Sequence, residues 1–488
     1  MTLMMSIIYI YVYSQGRNEA IFEKVFHKIM VYNESMSLKN KIANLPFYND
    51  MVVPVHIGQA LRAGVKFKWP GRKLKVIGVT GTNGKTTTSF MIWKMLNEAG
   101  RKTGLMTTVA WGVPGMKGVR VGEDGLVKQI EHMTTVDAET LNERIEKIVE
   151  EGAEFLVLEV TSHALAQYRT LGVPIEIAVF TNLTHEHLDY HKTMKRYMEA
   201  KMKLFKGAKF GVANVDDSHG AKFLELTPEG VSYGVKKGIV RATNIDLRAD
   251  GVSYEIYHGA NINLRIPGEF NVYNSLAAIC VGRRLGLSDE EIANGLAALS
   301  EVEGRMNRIE EGQNFSVVVD FAHTPDALLK VFQSVAPAYG GTRKEREVKR
   351  KKGEKIGRII TVHGGAGRRD ESTRAERGEI AGTYSDIFVV TEDDSRDEKP
   401  EKIMEMIAEG AKKVGMKEAK GRNKYASGDI IYETDREKAI EKALKIAKKG
   451  DLVLLLGKGH EKTILRADGP HEFEDIKVAK KILRKLKD

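Results

Sequence analysis

The chain has 488 residues, of which 42% are hydrophobic and 29% charged, a composition that excludes a fibrous or largely disordered class. This length exceeds what one compact core accommodates, so we expect two to four domains. The net charge of +10 comes from 76 basic residues against 66 acidic ones, and the single cysteine, Cys280, excludes a disulfide framework and a cysteine-rich zinc site while fitting a reducing cytoplasm.

The N-terminal region, residues 1–72, shows no clear periodic pattern. Its apolar stretch, residues 4–14, is about half the length that spans a bilayer, and it lacks the flanking features of a signal peptide. A strand, or a start codon assigned too far upstream, is the simpler interpretation. No later segment is apolar enough to cross a membrane, so we expect no membrane span.

The basic excess is concentrated in the run 343–355 and in two lysine-rich segments, residues 438–449 and 477–487. The two lysine-rich segments alternate with Glu, Leu, Ile and Ala, which favours solvated amphipathic helices over a polyanion-binding surface. We therefore expect no nucleic-acid partner. The run 343–355 is expected to be an exposed loop inserted between a helix and a strand, and its role stays open.

The central part of the chain alternates strands with helices. Residues 74–79 form a short β-branched run, followed by a Gly/Thr loop and a helical pattern over 87–99. Further strands are predicted at 155–160, 177–180 and 210–213, with helices at 138–151 and 195–204 between them. This order predicts a mainly parallel sheet covered by helices. Short antiparallel strands are expected over 231–266, before a helix at 272–285.

A second alternating series follows a junction at residues 303–308. Its strands are predicted at 316–321, 358–362, 387–391 and 451–456, each with a loop and helix after it. The fold class predicted is therefore α/β: a phosphate-loop central domain and a C-terminal, Rossmann-like doubly wound domain. The expected boundaries are residues 1–72, 73–302 and 303–488.

The phosphate-binding signature lies between the first predicted strand and its helix. Glycines at 81 and 84 let the backbone approach phosphate oxygens, and the helix N-terminus completes an anion site. Lys85 would reach the β- and γ-phosphates, and the Thr86 hydroxyl would bind Mg²⁺. The spacing departs from the general pattern because Val79, not glycine, stands five residues before Gly84. The nucleotide-binding residues expected here are Gly81, Thr82, Asn83, Gly84, Lys85, Thr86 and Thr87.

This GTNGKTT loop resembles the nucleotide loop of the Mur ligase superfamily, and later motifs match in order over residues 73–488. The resemblance implies an ATP-dependent ligase that forms an amide bond through an acyl phosphate, in peptidoglycan biosynthesis. The motifs are most similar to the branch that adds a third amino acid, meso-diaminopimelate or L-lysine, to UDP-N-acetylmuramoyl-L-Ala-D-Glu. It further implies small-molecule substrates, a cytoplasmic location and a monomer.

The catalytic residues that the resemblance implies are Lys85, Glu159, His187 and Lys201. Glu159 follows a buried strand, where a lone carboxylate could instead cap the next helix, and any single histidine of the segment 181–191 could be structural. In the family these positions hold two Mg²⁺ ions, with Thr86, and the lysine is carbamylated by CO₂. A carbamate requires a neutral amine, so burial must depress the pKa of Lys201. Lys203 is expected to be a bystander.

Further binding residues follow from the same resemblance. The ATP-binding set extends to Asn271, Asn274, Arg305, Asp320 and His323. The set expected to contact the carboxylate substrate is Thr134, Thr135, Ser162, His163 and Arg169. The set expected to bind the incoming amino acid is Asp393, Asp394, Arg396, Gly457 and Glu461.

The choice of amino acid stays open at this point. In the family, the arginine at position 396 goes with meso-diaminopimelate, because a guanidinium pairs with its distal carboxylate. Here Asp394 replaces the usual Asn and Ser395 the usual Pro. A carboxylate at 394 would repel an anionic end and suit lysine, so diaminopimelate is preferred only mildly.

Two alternatives remain. A sister ligase acting on another carrier, of the folylpolyglutamate or cyanophycin synthetase type, would share the phosphate loop and metal residues. A nucleotide-binding module without catalysis is the second, although the intact Glu159, His187, Lys201 and Glu461 argue against it. The 72 N-terminal residues are fewer than the family's UDP-sugar-binding domain normally has, which leaves the carrier open.

Overall fold

The computed structural model describes residues 52–116, 125–129, 131, 133–248, 250–419 and 425–486. The apolar stretch at 4–14 lies outside these residues. The described chain begins with helix α1 (Val53–Lys66) and a 3₁₀ turn (Pro70–Lys73). Trp69 packs so closely on Gly64 and Gly172 that a Cβ at either glycine would come within 2.2 Å of its ring. This contact fixes the point at which the chain enters the first sheet.

The first sheet has eleven strands among the described residues, in the order β11-β10-β9-β8-β7-β6-β1-β5-β2-β3-β4. The strands are β1 (Lys75–Thr80), β2 (Thr103–Met106), β3 (Ala110–Gly112), β4 (Val127–Lys128), β5 (Phe155–Glu159), β6 (Ile175–Phe180), β7 (Ala208–Asn214), β8 (Glu229–Gly234), β9 (Val240–Arg248), β10 (Gly251–Ile256) and β11 (Asn261–Leu264). Strands β2, β5, β1, β6 and β7 are parallel, as the alternation of strand and helix predicted.

Helices cover both faces of this sheet. They are α2 (Lys85–Glu98), α3 (Ala138–Glu150), α4 (Ser162–Ala166), α5 (Leu188–His191), α6 (Met194–Lys206), α7 (Gly220–Leu224), α8 (Glu269–Arg284) and α9 (Asp289–Ala297). The alternate residues of β1 point into separate cores: Ile77 and Val79 pack on the α2 and α8 side, and Val76 packs on the α3 and α6 side. Burial of both faces explains why the central strands read as continuous apolar runs.

The region 231–266 differs in part from its prediction. Strands β9, β10 and β11 are antiparallel, as expected. Strand β8, however, pairs parallel to both β7 and β9. It therefore continues the parallel sheet, and the antiparallel extension begins one strand later.

The second sheet has seven strands among the described residues, in the order β12-β13-β18-β14-β15-β17-β16. They are β12 (Asn307–Arg308), β13 (Ser316–Asp320), β14 (Ile359–Gly365), β15 (Ile387–Glu392), β16 (Lys417–Glu418), β17 (Asp429–Tyr432) and β18 (Leu452–Leu456), and a separate hairpin contains β19 (Thr463–Arg466) and β20 (Gly469–Glu472). The helices are α10 (Pro325–Val335), α11 (Arg343–Lys351), α12 (Ser372–Tyr384), α13 (Pro400–Lys413), α14 (Arg436–Ile446) and α15 (Asp475–Lys485). Two cores, one on each face, confirm the doubly wound class.

The basic run 343–355 was wrongly predicted as an exposed loop. Its first nine residues form helix α11, which begins with a capping box between Thr342 and Glu345. The Arg346 guanidinium is fully buried and lies 2.9 Å from the carboxylate of Asp386, which also pairs with Arg350. The arginines of the run are therefore structural, and they fasten α11 to the second sheet.

Candidate active site

The phosphate loop lies between β1 and α2, and both of its glycines are required by close approaches. Gly81 has φ of 150°, and a Cβ there would come within 1.9 Å of the Thr181 hydroxyl. Gly84 has φ of 82°, and a Cβ there would meet the Asn274 side chain at 2.3 Å. The loop therefore tolerates no side chain at either position, and it leads directly into the N-terminus of helix α2, which has no side-chain cap.

The parallel register brings Glu159 to this loop. Strand β5 pairs with β1 so that Glu159 lies opposite Val79, at the carboxyl end of the sheet. Its Oε1 accepts a hydrogen bond from the Thr86 hydroxyl at 3.1 Å, and its Oε2 accepts one from the Thr108 backbone amide. The Arg305 guanidinium donates to the Thr86 hydroxyl from the second domain. Thr86, Glu159 and Arg305 thus meet as predicted.

Lys201 lies under the loop on helix α6. Its side chain is 1% exposed, and its Nζ donates to the Gly81 carbonyl at 2.6 Å. Lys85 donates to the carbonyls of Thr82 and Gly81. Burial and the Lys85 cation hold the pKa of Lys201 well below its usual range, although Glu186 and Glu159 oppose this. A buried lysine with a depressed pKa meets the requirement for a neutral amine.

His187 completes the cluster from the N-terminus of helix α5. It adopts a left-handed conformation, with φ of 57°, and its ring packs edge-on against His163. Burial lowers the pKa of His187, and the Lys201 and Lys85 cations lower it further. Glu159, His187, Lys201 and Lys85 therefore share one electrostatic environment, with oxygen and imidazole ligands of the kind that bind Mg²⁺ in proteins.

Glu186 is a candidate residue that the sequence analysis missed. Its carboxylate lies 3.6 Å from His187 Nε2 and 3.3 Å from His323 Nε2, so it bridges the two domains. Although burial acts in the opposite direction, the neighbouring histidines and Lys85 hold its pKa well below the usual range. The signal in the sequence was a carboxylate directly before His187, in a polar segment that follows a buried strand.

The residues expected to contact the carboxylate substrate line the side of the cluster remote from Arg305. The Thr134 hydroxyl bonds to that of Thr108, and Thr135 donates to the Glu159 carbonyl. Arg169 donates to the Thr135 carbonyl at 2.5 Å. These hydrogen bonds hold Thr134, Thr135 and Arg169 close to Glu159.

Ser162 and His163 lie at the start of α4, next to the same cluster. The Ser162 hydroxyl pairs with His191 Nε2 at 2.9 Å, a partner that was not predicted. Burial and the neighbouring histidines strongly lower the pKa of His163, so its ring is neutral at physiological pH. It acts there as an uncharged wall of the cluster.

A cavity of about 450 Å³ lies between the two domains beside the phosphate loop. Asn83 and Asn274 line it from the first domain, and Arg305, Asp320 and His323 line it from the second. The Asn271 side chain is buried and is not among those that line the cavity. It donates to the Pro267 carbonyl and accepts from Asn274, so it orients Asn274.

A second, smaller cavity of about 160 Å³ shares Phe321 and His323 with the first. The residues that line it include all those predicted for the incoming amino acid, namely Asp393, Asp394, Arg396, Gly457 and Glu461. Arg369 also lines it and was not predicted as a site residue. Strands β13, β14, β15 and β18 end at this edge, which explains how four separate loops converge there.

Three carboxylates of this second cavity surround a buried lysine. Lys458 Nζ lies 2.7 Å from Asp394, 2.6 Å from Glu461 and 3.4 Å from Asp393. Asp394 also accepts the Leu465 backbone amide. Lys458 therefore compensates part of the charge of Asp394, but its one ammonium faces three carboxylates, so the group keeps a net negative charge.

Models of two protein families match the chain: the Mur ligase middle domain over residues 79–282, and the Mur ligase glutamate ligase domain over residues 304–459. Together they span more than two-thirds of the sequence. The chain belongs to the Mur ligase family. It is an ATP-dependent acid–amino-acid ligase, and the enzymes it resembles use Mg²⁺.

Proteins similar to this chain include several ligases with curated names. A UDP-N-acetylmuramoyl-L-alanyl-D-glutamate–2,6-diaminopimelate ligase of Syntrophomonas wolfei is 38% identical over 87% of this chain and 81% of the relative. A ligase of the same name from Aquifex aeolicus is 37% identical over 86% of this chain and 79% of the relative. A UDP-N-acetylmuramyl-tripeptide synthetase of Roseiflexus is 36% identical over 86% and 80% of the two chains.

Solved structures agree with the fold. One of a UDP-N-acetylmuramoyl-L-alanyl-D-glutamate–2,6-diaminopimelate ligase has a TM-score of 0.54 at 28% identity, over 85% of this chain and 79% of the other. Folylpolyglutamate synthase from Mycobacterium tuberculosis gives 0.62 at 16% identity, over 88% and 94%, and shows similarity of fold alone. In the described part of the chain, no helix combines the length and apolar character needed to cross a bilayer.

Proposed function

We propose that this ligase joins meso-diaminopimelate to the D-glutamyl carboxylate of UDP-N-acetylmuramoyl-L-alanyl-D-glutamate, with hydrolysis of ATP to ADP and phosphate. The relatives named above act, by their names, on these compounds. The reaction would supply a tripeptide precursor for peptidoglycan. ATP and the single, buried thiol suit the reducing cytoplasm, where we place the reaction.

The main observation behind this proposal is that the second cavity has a positively charged side and a negatively charged side. Arg369 and Arg396 provide a cationic side, and Glu461 with its neighbouring aspartates provides an anionic side. The distal centre of diaminopimelate has both an ammonium and a carboxylate, which such a site pairs simultaneously. At its distal end L-lysine has only the ammonium, so it would leave this cationic side without a distal carboxylate to pair with.

We further propose that Thr86, Glu159 and His187 hold Mg²⁺, and that Lys201 joins them as a carbamate in a site for two ions. The chemistry of the donor set fits: the Thr86 hydroxyl and the Glu159 carboxylate meet beside the phosphate loop, and the His187 imidazole is near enough to Lys201 and Lys85 for their charges to lower its pKa. The depressed pKa of Lys201 suits addition of its neutral amine to CO₂, which releases a proton and leaves a carboxylate. Bound there, Mg²⁺ would neutralise charge on the triphosphate.

In the proposed mechanism, residues of this chain align the reactants. The amides at the start of helix α2 and the Lys85 ammonium would hold the triphosphate. Arg305 donates a hydrogen bond to the Thr86 hydroxyl beside them. Thr135 and Arg169 orient the substrate carboxylate for attack on the γ-phosphorus, which forms the acyl phosphate and releases ADP. The amine held in the second cavity then attacks the acyl carbon and releases phosphate. The shared walls, Phe321 and His323, keep water from the mixed anhydride.

This arrangement also supports the proposed division of the chain. Residues 73–302 would bind the nucleotide phosphates and the carboxylate substrate, and residues 303–488 would bind the amino acid and close over the nucleotide. The matched family models fall on either side of residue 303.

The test is phosphate release with UDP-N-acetylmuramoyl-L-alanyl-D-glutamate, ATP and Mg²⁺, with either diaminopimelate or L-lysine as acceptor. We expect turnover with diaminopimelate and a kcat/KM at least about a hundredfold lower for lysine, because a site that pairs a polar group of one substrate discriminates strongly against an analogue that lacks the group. Equal or greater efficiency with lysine would overturn the assignment of the amino acid. Turnover with neither, but with another carboxylate carrier, would overturn the assignment of the carrier.

A further inference from the structure

The backbone of Asn83, in the phosphate loop, forms hydrogen bonds through both its amide and its carbonyl. Its backbone amide donates to the Asn182 side chain at 2.9 Å, and its carbonyl accepts from Thr181 and Asn182 at 2.6 and 3.0 Å. These bonds fix the Asn83 backbone within the first domain. Its side-chain amide is left to point across the cleft.

That amide reaches the second domain. Asn83 Nδ2 donates to Asp326 Oδ2 at 2.6 Å, and Asp326 lies in the first turn of helix α10. The same oxygen accepts the Lys330 ammonium, one turn further along, at 2.8 Å. A carboxylate acceptor makes this a charge-assisted bond, stronger than one between neutral groups. It joins the loop that would cradle the phosphates directly to the domain that would close over them.

The Asn83–Asp326 bond lies at the cavity in which the nucleotide is proposed to bind. Asn83 and Lys330 both line the larger cavity, Asn83 from the first domain and Lys330 from the second. The Asn83–Asp326 bond therefore forms one edge of the space between the domains. If the domains separate, the bond must break, and the Asn83 side chain loses its partner.

We propose that Asp326 is a positioning residue for phosphoryl transfer: through Asn83, it fixes the phosphate loop in the geometry reached when the second domain closes. This inference rests on the proposed ligase function. Asp326 does not touch the reacting atoms in this scheme. It couples the conformation of the loop to domain closure, so its loss slows turnover more than it weakens nucleotide binding.

The experiment compares Asp326→Ala and Asp326→Asn with the wild-type enzyme, in the phosphate-release assay described above. Asparagine keeps an oxygen that accepts from Asn83 but loses the charge that pairs with Lys330. We expect kcat to fall about tenfold in Asp326→Ala, with the KM for ATP changed less than about threefold, and Asp326→Asn to keep most of the wild-type kcat. Glu441→Ala is the matched control, since it removes a similar i,i+4 carboxylate–lysine pair from α14, far from the loop.

A double-mutant cycle separates this role from a general structural one. In an Asn83→Ala background, Asp326→Ala should cause no further loss of kcat, because the bond is already absent. A wild-type kcat in Asp326→Ala, an equal loss in Asp326→Asn, or additive losses in the cycle would each overturn the proposal. Asp326→Ser, too short to reach Asn83 but well tolerated at a helix start, replaces the alanine variant if that one fails to fold. Failure of the wild-type enzyme to turn over would instead contradict the proposed function.

Discussion

Lys201 and Lys203 lie two residues apart on helix α6 but in different environments. Lys201 is buried beneath the phosphate loop, whereas Lys203 lies over the ring of Tyr168, with its Nζ 4.1 Å from the ring centre. Only the first lies beside the proposed metal site. The proposed carbamate can therefore be tested with a control on the same helix.

We predict that Lys201→Ala lowers kcat by at least about a hundredfold, because it removes a proposed ligand that stabilises charge in the transition state. Lys203→Ala should stay within about threefold of wild type. Removal of dissolved CO₂ should reduce wild-type activity, and bicarbonate should restore it. The assay is initial rate of phosphate release in degassed and bicarbonate-supplemented buffer. Full activity in Lys201→Ala would refute the role assigned to this lysine.

Glu461 gives the amino-acid site a pH dependence. Burial raises the pKa of this carboxyl to about 7, with Asp393 and Asp394 acting in the same direction and Lys458 opposing them. Below that pH the group is protonated and neutral, and above it the group is a carboxylate that attracts the ammonium of the substrate.

The KM for diaminopimelate should therefore rise as the pH falls below about 7, by up to tenfold per unit for a single essential ionisation. In Glu461→Gln the KM should be high and nearly constant over the same range. The measurement is the KM for diaminopimelate from pH 5.5 to 8.5 at saturating ATP. A KM in the wild type that does not change with pH would contradict this role of Glu461.

Several site residues were predictable because each lies in a short motif after a strand. Glu159 and His187 belong to this group. Glu186 and Arg369 also lie in loops after strands but were not predicted, and what makes Glu186 notable is a distant partner: His323 lies 137 positions after it in the chain. Asp394 was understood only in part, since the sequence showed its charge but not that Lys458 compensates it.

At the level of elements, the start of helix α11 could be predicted from the sequence, but the burial of the helix could not. The capping box Thr342–Glu345 is visible in the sequence and indicates a helix start. The apolar stripe that normally marks a buried helix is missing, because arginines hold this helix in place. Their partner Asp386 is 40 residues away, so the burial of Arg346 could not be foreseen.

We predict that Arg346→Met destabilises the protein by about 3 kcal/mol or more, because removal of one partner leaves the Asp386 carboxylate buried with part of its charge uncompensated. Lys344→Met, on the exposed face of the same helix, should change stability by less than about 0.5 kcal/mol. Chemical denaturation followed by tryptophan fluorescence and circular dichroism would measure both. Equal stability of the two variants would show that α11 is not fastened by this pair.

The strands of the two parallel sheets were the most predictable elements. Their β-branched, apolar runs are buried on both faces, so the sequence pattern and the packing agree. Strand β8 was placed in the antiparallel extension because the segments over 231–266 are short and alternate in sequence, whereas its burial increases along the strand. Its parallel pairing with β7 depends on the crossover helix α7, which is too short to give a clear helical period.

At the scale of the whole molecule, two α/β domains meet along the line where their strands end. The larger cavity lies on that line, and besides the Arg305–Thr86 bond the contacts across it include three pairs: Asn83 with Asp326, Glu186 with His323, and His185 with Asp370. All three join the neighbourhood of the phosphate loop to the second domain. Nucleotide and amino acid would thus be brought together by the relative position of the domains, which no single motif encodes.

The central claim is that the substrate carboxylate attacks ATP before the amine attacks the carboxylate. It is tested most directly by labelling both oxygens of the D-glutamyl side-chain carboxylate with ¹⁸O and measuring the released phosphate by mass spectrometry. An acyl phosphate transfers one of these oxygens to phosphate and leaves the other in the amide product. We predict one ¹⁸O atom in each phosphate released with diaminopimelate; unlabelled phosphate accompanying tripeptide formation would contradict the mechanism.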